Sequence, residues 1–288
     1  MNYRHAYHAG NFADVIKHAI LALCIEHLKA KATPFRVIDT HAGIGVYDLQ
    51  SEAAQKTGEW QDGIGRVVDA VLPSEISELL LPYLQCVEAL KAFKRRHVYP
   101  GSPEIARYLT RAEDRMIFVE KHPQDAKKLA ENFAFDGRAK VLELDGYLAA
   151  KAYVPPKERR GLVIIDPPYE ERDEFERLYY AFVDAYRKWP TGMYLLWYPV
   201  KNRDETKRFM VSLAEAGIPK ILRAELRVKA VTEQGGLAGS GLMIINPPWK
   251  LADELRVLLP WLDGVLKQGE GHGWNVDWLA GEAAVSTS

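Results

Sequence analysis

Only two cysteines occur in the 288 residues, Cys24 and Cys86, far apart in stretches with helical patterning. That excludes a disulfide framework and a cysteine-based zinc site, and it fits a reducing compartment. Nor does any apolar run approach the roughly 18 residues that cross a bilayer. The opening MNYRHAYHAGN is polar where a secretory signal would be apolar. A cytoplasmic protein with no membrane partner and no metal is therefore expected. Charge of one sign is missing too: 38 Lys and Arg against 39 Asp and Glu leave a net −1, so bulk electrostatics announce no polyanionic partner. Basic clusters at 91–97, at 157–160 and at Lys201, Arg203, Lys207 and Arg208 read, one by one, as solvated faces. Any nucleic-acid partner has to be argued from a site.

With 48% hydrophobic residues the chain can bury a substantial core. Seven short β-branched or aromatic runs, at 35–39, 116–120, 140–144, 161–166, 193–199, 221–228 and 242–246, read as strands. Helical spacing at 124–134, 173–187 and 203–216 separates several of them. Alternation of this kind predicts an α/β fold with a mostly parallel sheet covered on both faces. The last two runs are joined only by KAVTEQGGLAGS (229–240), too little for a parallel return, so a terminal antiparallel hairpin is expected. Between the first two runs lies an amphipathic pattern of Ile76, Leu79, Leu80, Tyr83, Leu84, Val87, Leu90 and Phe93. Residues 50–97 are accordingly read as a helical subdomain inserted into a domain made of 1–49 and 98–288. The closing EAAVSTS is expected to fray.

The first strand ends in VIDTHAGIGV (37–46), where Gly43 and Gly45 allow a tight turn close to a ligand. A third glycine is lacking, because position 48 is Asp, which counts against a nicotinamide dehydrogenase. The second strand ends at Glu120, placed to accept from ribose hydroxyls. The third leaves Asp145 and Gly146 at its tip. Each alone is an ordinary turn or helix cap; on successive strands of one sheet they converge on one crevice.

Two strands end alike, in DPPY (166–169) and NPPW (246–249). Methylation of an exocyclic amine needs acceptors for its hydrogens, because its lone pair is delocalised into the ring. A carboxylate and a carbonyl favour a pyramidal nitrogen and stabilise the positive charge that develops there. Asp166 supplies the carboxylate, and the locked Pro167–Pro168 backbone offers the Pro167 carbonyl. Tyr169 offers a face on which a base can stack, worth roughly 1–3 kcal/mol. Such a base has to be unpaired or flipped out of a duplex. An Asn in the second motif would suit a protein glutamine methyltransferase, but an antiparallel last strand would put Asn246 on the opposite rim. The chemistry is assigned to 166–169, with Asn246 a structural turn.

Taken together, these residues resemble a class I S-adenosylmethionine-dependent amino-methyltransferase, a Rossmann-like fold in which DPPY marks adenine-N6 enzymes. YRH (3–5), HAGNFADVIKH (8–18), DTHAGIG (39–45), YPGSP (99–103), IDPPY (165–169) and WYPV (197–200) further resemble the RlmJ family of bacterial 23S ribosomal RNA adenine-N6 methyltransferases. The resemblance covers nearly the whole chain. It implies S-adenosyl-L-methionine contacts at His18, His41, Gly43, Ser102, Glu120, Asp145, Gly146 and Asp166, with Asp166 also the catalytic acid–base group. It implies that Tyr3 and Lys17 belong to an N-terminal segment that closes over the site, Tyr3 touching RNA. A monomer acting on adenine 2030 of 23S ribosomal RNA is the family expectation. DNA adenine and a protein glutamine are the alternative acceptors.

Overall fold

A computed structural model describes residues 4–94, 97–232 and 235–281. In chain order the strands are β1 (Arg36–Asp39), β2 (Val46–Asp48), β3 (Val98–Pro100), β4 (Arg115–Glu120), β5 (Ala139–Glu143), β6 (Gly161–Ile165), β7 (Met193–Val200), β8 (Ile221–Arg227), β9 (Gly239–Ile245) and β10 (Gly273–Ala280). The helices are α1 (Phe12–Lys29), α2 (Glu52–Thr57), α3 (Arg66–Asp69), α4 (Ser74–Lys94), α5 (Ser102–Leu109), α6 (Pro123–Phe133), α7 (Gly146–Ala152), α8 (Glu174–Lys188), α9 (Arg203–Glu215) and α10 (Leu251–Leu266). A 3-10 turn at His5–Tyr7 precedes α1.

Eight strands form one sheet in the order β10-β8-β9-β7-β6-β1-β4-β5. From β5 through β7 every neighbour is parallel, whereas β9 runs antiparallel between β7 and β8. The mostly parallel, Rossmann-like sheet with antiparallel terminal strands is thus present. It carries one more strand than the seven expected, because β10 pairs antiparallel with β8 at the edge.

Strands buried on both faces explain the continuous apolar runs. Along β6, Leu162 and Ile164 face one core while Val163 and Ile165 face the other. The first core is closed by α1, α4 and α10, through Ile16, Leu80 and Leu255 among others. The second is closed by α7, α8 and α9, through Ala149, Phe182 and Phe209. Ile64, Val67, Ile76, Leu80 and Tyr83, from within 50–97, are buried in the first core. Phe93, read as the last residue of the apolar face of α4, is instead 77% exposed, so that face ends at the buried Leu90. The ends of 50–97 meet in the short antiparallel ribbon β2–β3, with Tyr47 opposite Tyr99.

The chain passes from β1 outward to β4 and β5, then returns to β6 on the other side of β1. A crevice opens beyond the carboxyl ends of the strands where order reverses in this way. Among the described residues no helix is long and apolar enough to cross a membrane.

Candidate active site

A cavity of about 500 Å³ fills that crevice, within the usual range for a small-molecule site. Its wall includes His18, His41, Gly43, Ser102, Glu120, Asp145, Gly146, Asp166 and Lys17. All of the expected cofactor contacts, from six separate parts of the chain, therefore line one hollow.

The β1 turn sets its floor. Gly43 has φ +60, and a Cβ there would stand 2.0 Å from the Tyr47 hydroxyl; only glycine suits both. Its amide donates to Glu120 Oε2 at 2.9 Å, and the His122 amide donates to Oε1 at 2.8 Å. The tip of β4 is thereby latched to the glycine turn. Burial pushes the Glu120 carboxyl upward, against the amides of His122 and Gly43.

At the next strand tip, Asp145 caps α7 by accepting from the Tyr147 amide at 3.0 Å, while its other oxygen meets Lys121 at 3.0 Å and Arg177 at 3.6 Å. Burial acts to raise its carboxyl, but Lys121 and the cap hold it below the ordinary value. A Cβ on Gly146 would lie 2.2 Å from the Thr40 carbonyl, so the start of α7 packs directly on the end of β1.

Two imidazoles stay neutral here. Burial drives His18 down to about 3 and His41 to about 4. His18 Nδ1 lies 2.7 Å from the Tyr99 hydroxyl, itself 2.8 Å from that of Tyr83. Helix α4 and the ribbon strand β3 thus support a residue of the cavity wall.

Asp166 follows β6 on the same rim. Lys17 Nζ donates to its Oδ2 at 2.5 Å and lies 2.9 Å from Asp14 Oδ1. Lys17 is 4% exposed; burial alone would discharge it, but the two carboxylates raise it instead. Pro168 lines the cavity, whereas Pro167 is buried outside the lining set. Tyr169 also lies outside that set. With φ +52 its ring turns onto Phe175 and Trp197, at 4.8 and 5.5 Å, and its hydroxyl donates to the Trp197 carbonyl at 2.8 Å. Tyr3 lies outside the described residues.

Asn246 is on the other rim, since β9 is antiparallel to β7 and Ile245 pairs with Tyr194 near the start of that strand. Its φ is +53, and its amide donates to the carbonyls of Pro190 at 2.8 Å and Gly192 at 2.7 Å. Both amide hydrogens hold a turn.

Sequence reasoning passed over Asp39 and Asp14. Asp39 ends β1, is 1% exposed, and burial pushes it up to about 7 against the Ser102 side chain and the His41 amide. Its Oδ2 has no hydrogen-bond partner among the described residues. Its place at the strand end was a visible signal. For Asp14 the signal was its i, i+3 spacing to Lys17. Among the described residues no cluster of three or more His, Cys, Asp or Glu could hold a metal ion.

Comparison with known proteins agrees with this geometry. The family model described as "RsmJ: Ribosomal RNA large subunit methyltransferase D, RlmJ" matches residues 32–280. Proteins named Ribosomal RNA large subunit methyltransferase J are 42% identical in Haemophilus influenzae and 43% in Escherichia coli, each over 98% of this chain and 100% of the relative. A crystal structure of a protein from Legionella pneumophila superposes with a TM-score of 0.85 at 34% identity, covering 94% of this chain and 98% of that one. Carboxylate-tipped parallel strands around one cavity, a family match over most of the length and full-length relatives lead to one conclusion: the chain belongs to the RlmJ family of ribosomal RNA large subunit methyltransferases.

Proposed function

We propose that the protein transfers a methyl group from S-adenosyl-L-methionine to N6 of an unpaired or flipped-out adenine in 23S ribosomal RNA, in the cytoplasm and as a monomer. The observation that carries this reading is the Asp166 carboxylate, which lines the same cavity as Glu120, Asp145 and Gly43. Adenine 2030, expected from the family resemblance, is the proposed target.

The residues fit the cofactor. A hollow of about 500 Å³ is floored by a glycine turn and the Gly146 helix start, where side chains would collide. Glu120 spends one lone pair of each oxygen on an amide, and an ionised carboxylate has about four such sites, so ribose hydroxyls can still be accepted. Asp145, His41, His18 and Ser102 complete the contacts in this reading, the two imidazoles as neutral hydrogen-bonding groups. When bound, the cofactor supplies an electrophilic methyl group on a sulfonium.

The chain's own contribution is orientation and charge placement. Asp166 and the Pro167 carbonyl accept the two N6 hydrogens, hold the nitrogen pyramidal and stabilise its developing charge. Asp166 then takes the proton that N6 must lose. Tyr169 stacks on the adenine, and its ring, fixed by Phe175 and Trp197, would be a preorganised face. Tyr3 and Lys17 close the N-terminal segment over the base. Residues 50–97 serve as an inserted helical subdomain supporting that segment, consistent with the Thr57 hydroxyl donating to the Tyr7 carbonyl at 2.5 Å and Asn11 donating to Glu59 at 2.9 Å.

The test offers labelled cofactor with 23S ribosomal RNA, DNA and protein acceptors in parallel, then maps the modified nucleotide by mass spectrometry. N6-methyladenine in the ribosomal RNA alone is expected. Label in DNA or protein, or on another base, would overturn the substrate assignment.

A further inference from the structure

Asp14 is in the first turn of α1 and is 1% exposed, yet the reaction as described makes no use of it. A buried carboxylate is costly unless donors meet it. Here the Gly10 amide donates to Oδ2 at 2.9 Å, and His5 Nε2 lies 2.9 Å from the same oxygen. Lys17 Nζ is 2.9 Å from Oδ1, with His18 Nε2 at 3.9 Å. Burial is the largest influence and acts to raise the carboxyl, but His5 and Lys17 hold it well below the ordinary range, the neutral His18 adding no charge of its own. Asp14 is therefore a permanent buried anion.

Helix capping accounts for only one of its oxygens, Oδ2 on the Gly10 amide. Asn11 is the cap, accepting from the amides of Ala13 and Asp14 at 3.0 Å each. Asp14 spends its other oxygen on Lys17, whose ammonium is the group that touches Asp166 at 2.5 Å. Two carboxylates share one ammonium.

We propose that Asp14 is a positioning residue for methyl transfer, holding the Lys17 ammonium so that it fixes one oxygen of Asp166 and leaves the other free for the substrate amine. The inference rests on the assignment of Asp166 as the amine acceptor. With two anions to serve, Lys17 divides its attraction between them. With Asp14 gone the ammonium, already in contact with Oδ2, would be free to shift across the Asp166 carboxylate and compete with the amine for the lone pairs of its second oxygen. Through His5 the same anion also fastens the N-terminal turn, so closure of that segment and alignment of Asp166 share one anchor.

The test is a double-mutant cycle on the full-length enzyme, read as single-turnover rates with labelled cofactor and 23S ribosomal RNA. Asp14→Asn is expected to slow transfer about 10- to 100-fold, the scale of a small misalignment, with cofactor affinity by calorimetry unchanged. In a Lys17→Met background the same substitution is expected to change the rate by less than about twofold, because coupled residues are not additive. An equal loss in both backgrounds, or no loss in either, overturns the proposal while leaving Asp166 untouched; only turnover by an Asp166 variant bears on that assignment. If Asp14→Asn does not fold, Asp14→Glu enters the same cycle and is judged the same way. If Lys17→Met gives no measurable rate, a crystal structure of the Asp14 variant decides: a displaced Lys17 ammonium supports the proposal, and one at its native position overturns it.

Discussion

Lys17 and Asp166 are 149 residues apart in the chain, and their charged atoms are 2.5 Å apart in space. The contact ties the first helix to the strand tip that carries DPPY. It also means that the carboxylate assigned to the chemistry is preset by a buried cation rather than left to solvent.

Replacing Lys17 with Met keeps most of the side-chain volume and removes the charge. Asp14 would lose its ammonium and Asp166 its orienting partner. We expect turnover to fall on the order of 100-fold, as for loss of one preorganised electrostatic contact. Stability should fall by about 3–5 kcal/mol, since breaking a buried pair strands a charge. Single-turnover rates and urea unfolding check the two effects separately.

Asp39 makes a prediction about pH. Burial lifts its carboxyl from an ordinary 3.8 to about 7, so the folded state holds a proton that the unfolded chain releases between those values. Its favourable contribution is complete below about pH 4 and lost as pH rises toward 7. His18 and His41, pushed down to about 3 and about 4, act in the opposite sense, because their contribution is present above an ordinary 6.5 and fades as pH falls. The difference between Asp39→Asn and the native protein isolates Asp39. The variant's relative stability is expected to climb from pH 4 to pH 7 and then level off. A difference that is flat across that range would show that the carboxyl is not perturbed.

The duplicated motif gives a contrast. Asn246 adopts φ +53 and spends both amide hydrogens on the carbonyls of Pro190 and Gly192. Asn246→Ala should destabilise the protein by about 1–3 kcal/mol, the scale of two lost hydrogen bonds, while cofactor binding and turnover at a permissive temperature stay native. Thermal unfolding beside a methylation assay reads both. Loss of turnover in a folded Asn246→Ala protein would return chemistry to that rim.

Most of the sheet was legible because its strands are buried on both faces and so appear as unbroken branched runs, GLVII (161–165) being the plainest. Asp166, Glu120 and Gly43 were legible for a related reason: each sits where such a run ends. The missed elements lack that signature. β2 and β3 are three residues long, and β10 is a half-exposed edge in which Trp274, Val276 and Trp278 alternate with polar neighbours. Phe93 continues the helical period of α4 but extends beyond the core it would have joined. The orientation of the Tyr169 ring follows from a left-handed backbone that a tyrosine does not advertise. The Asp14–Lys17–Asp166 chain joins distant segments and belongs to the tertiary fold, not to any local pattern.

The central claim is that the Asp166 carboxylate, at the rim of the cofactor cavity, accepts the hydrogens of an adenine amine. Its most direct test is the rate of methyl transfer from labelled S-adenosylmethionine to 23S ribosomal RNA by Asp166→Ala, with folding verified by circular dichroism. The account predicts a loss on the order of 100- to 1000-fold, the usual consequence of removing one such group. Turnover near the native rate would contradict it.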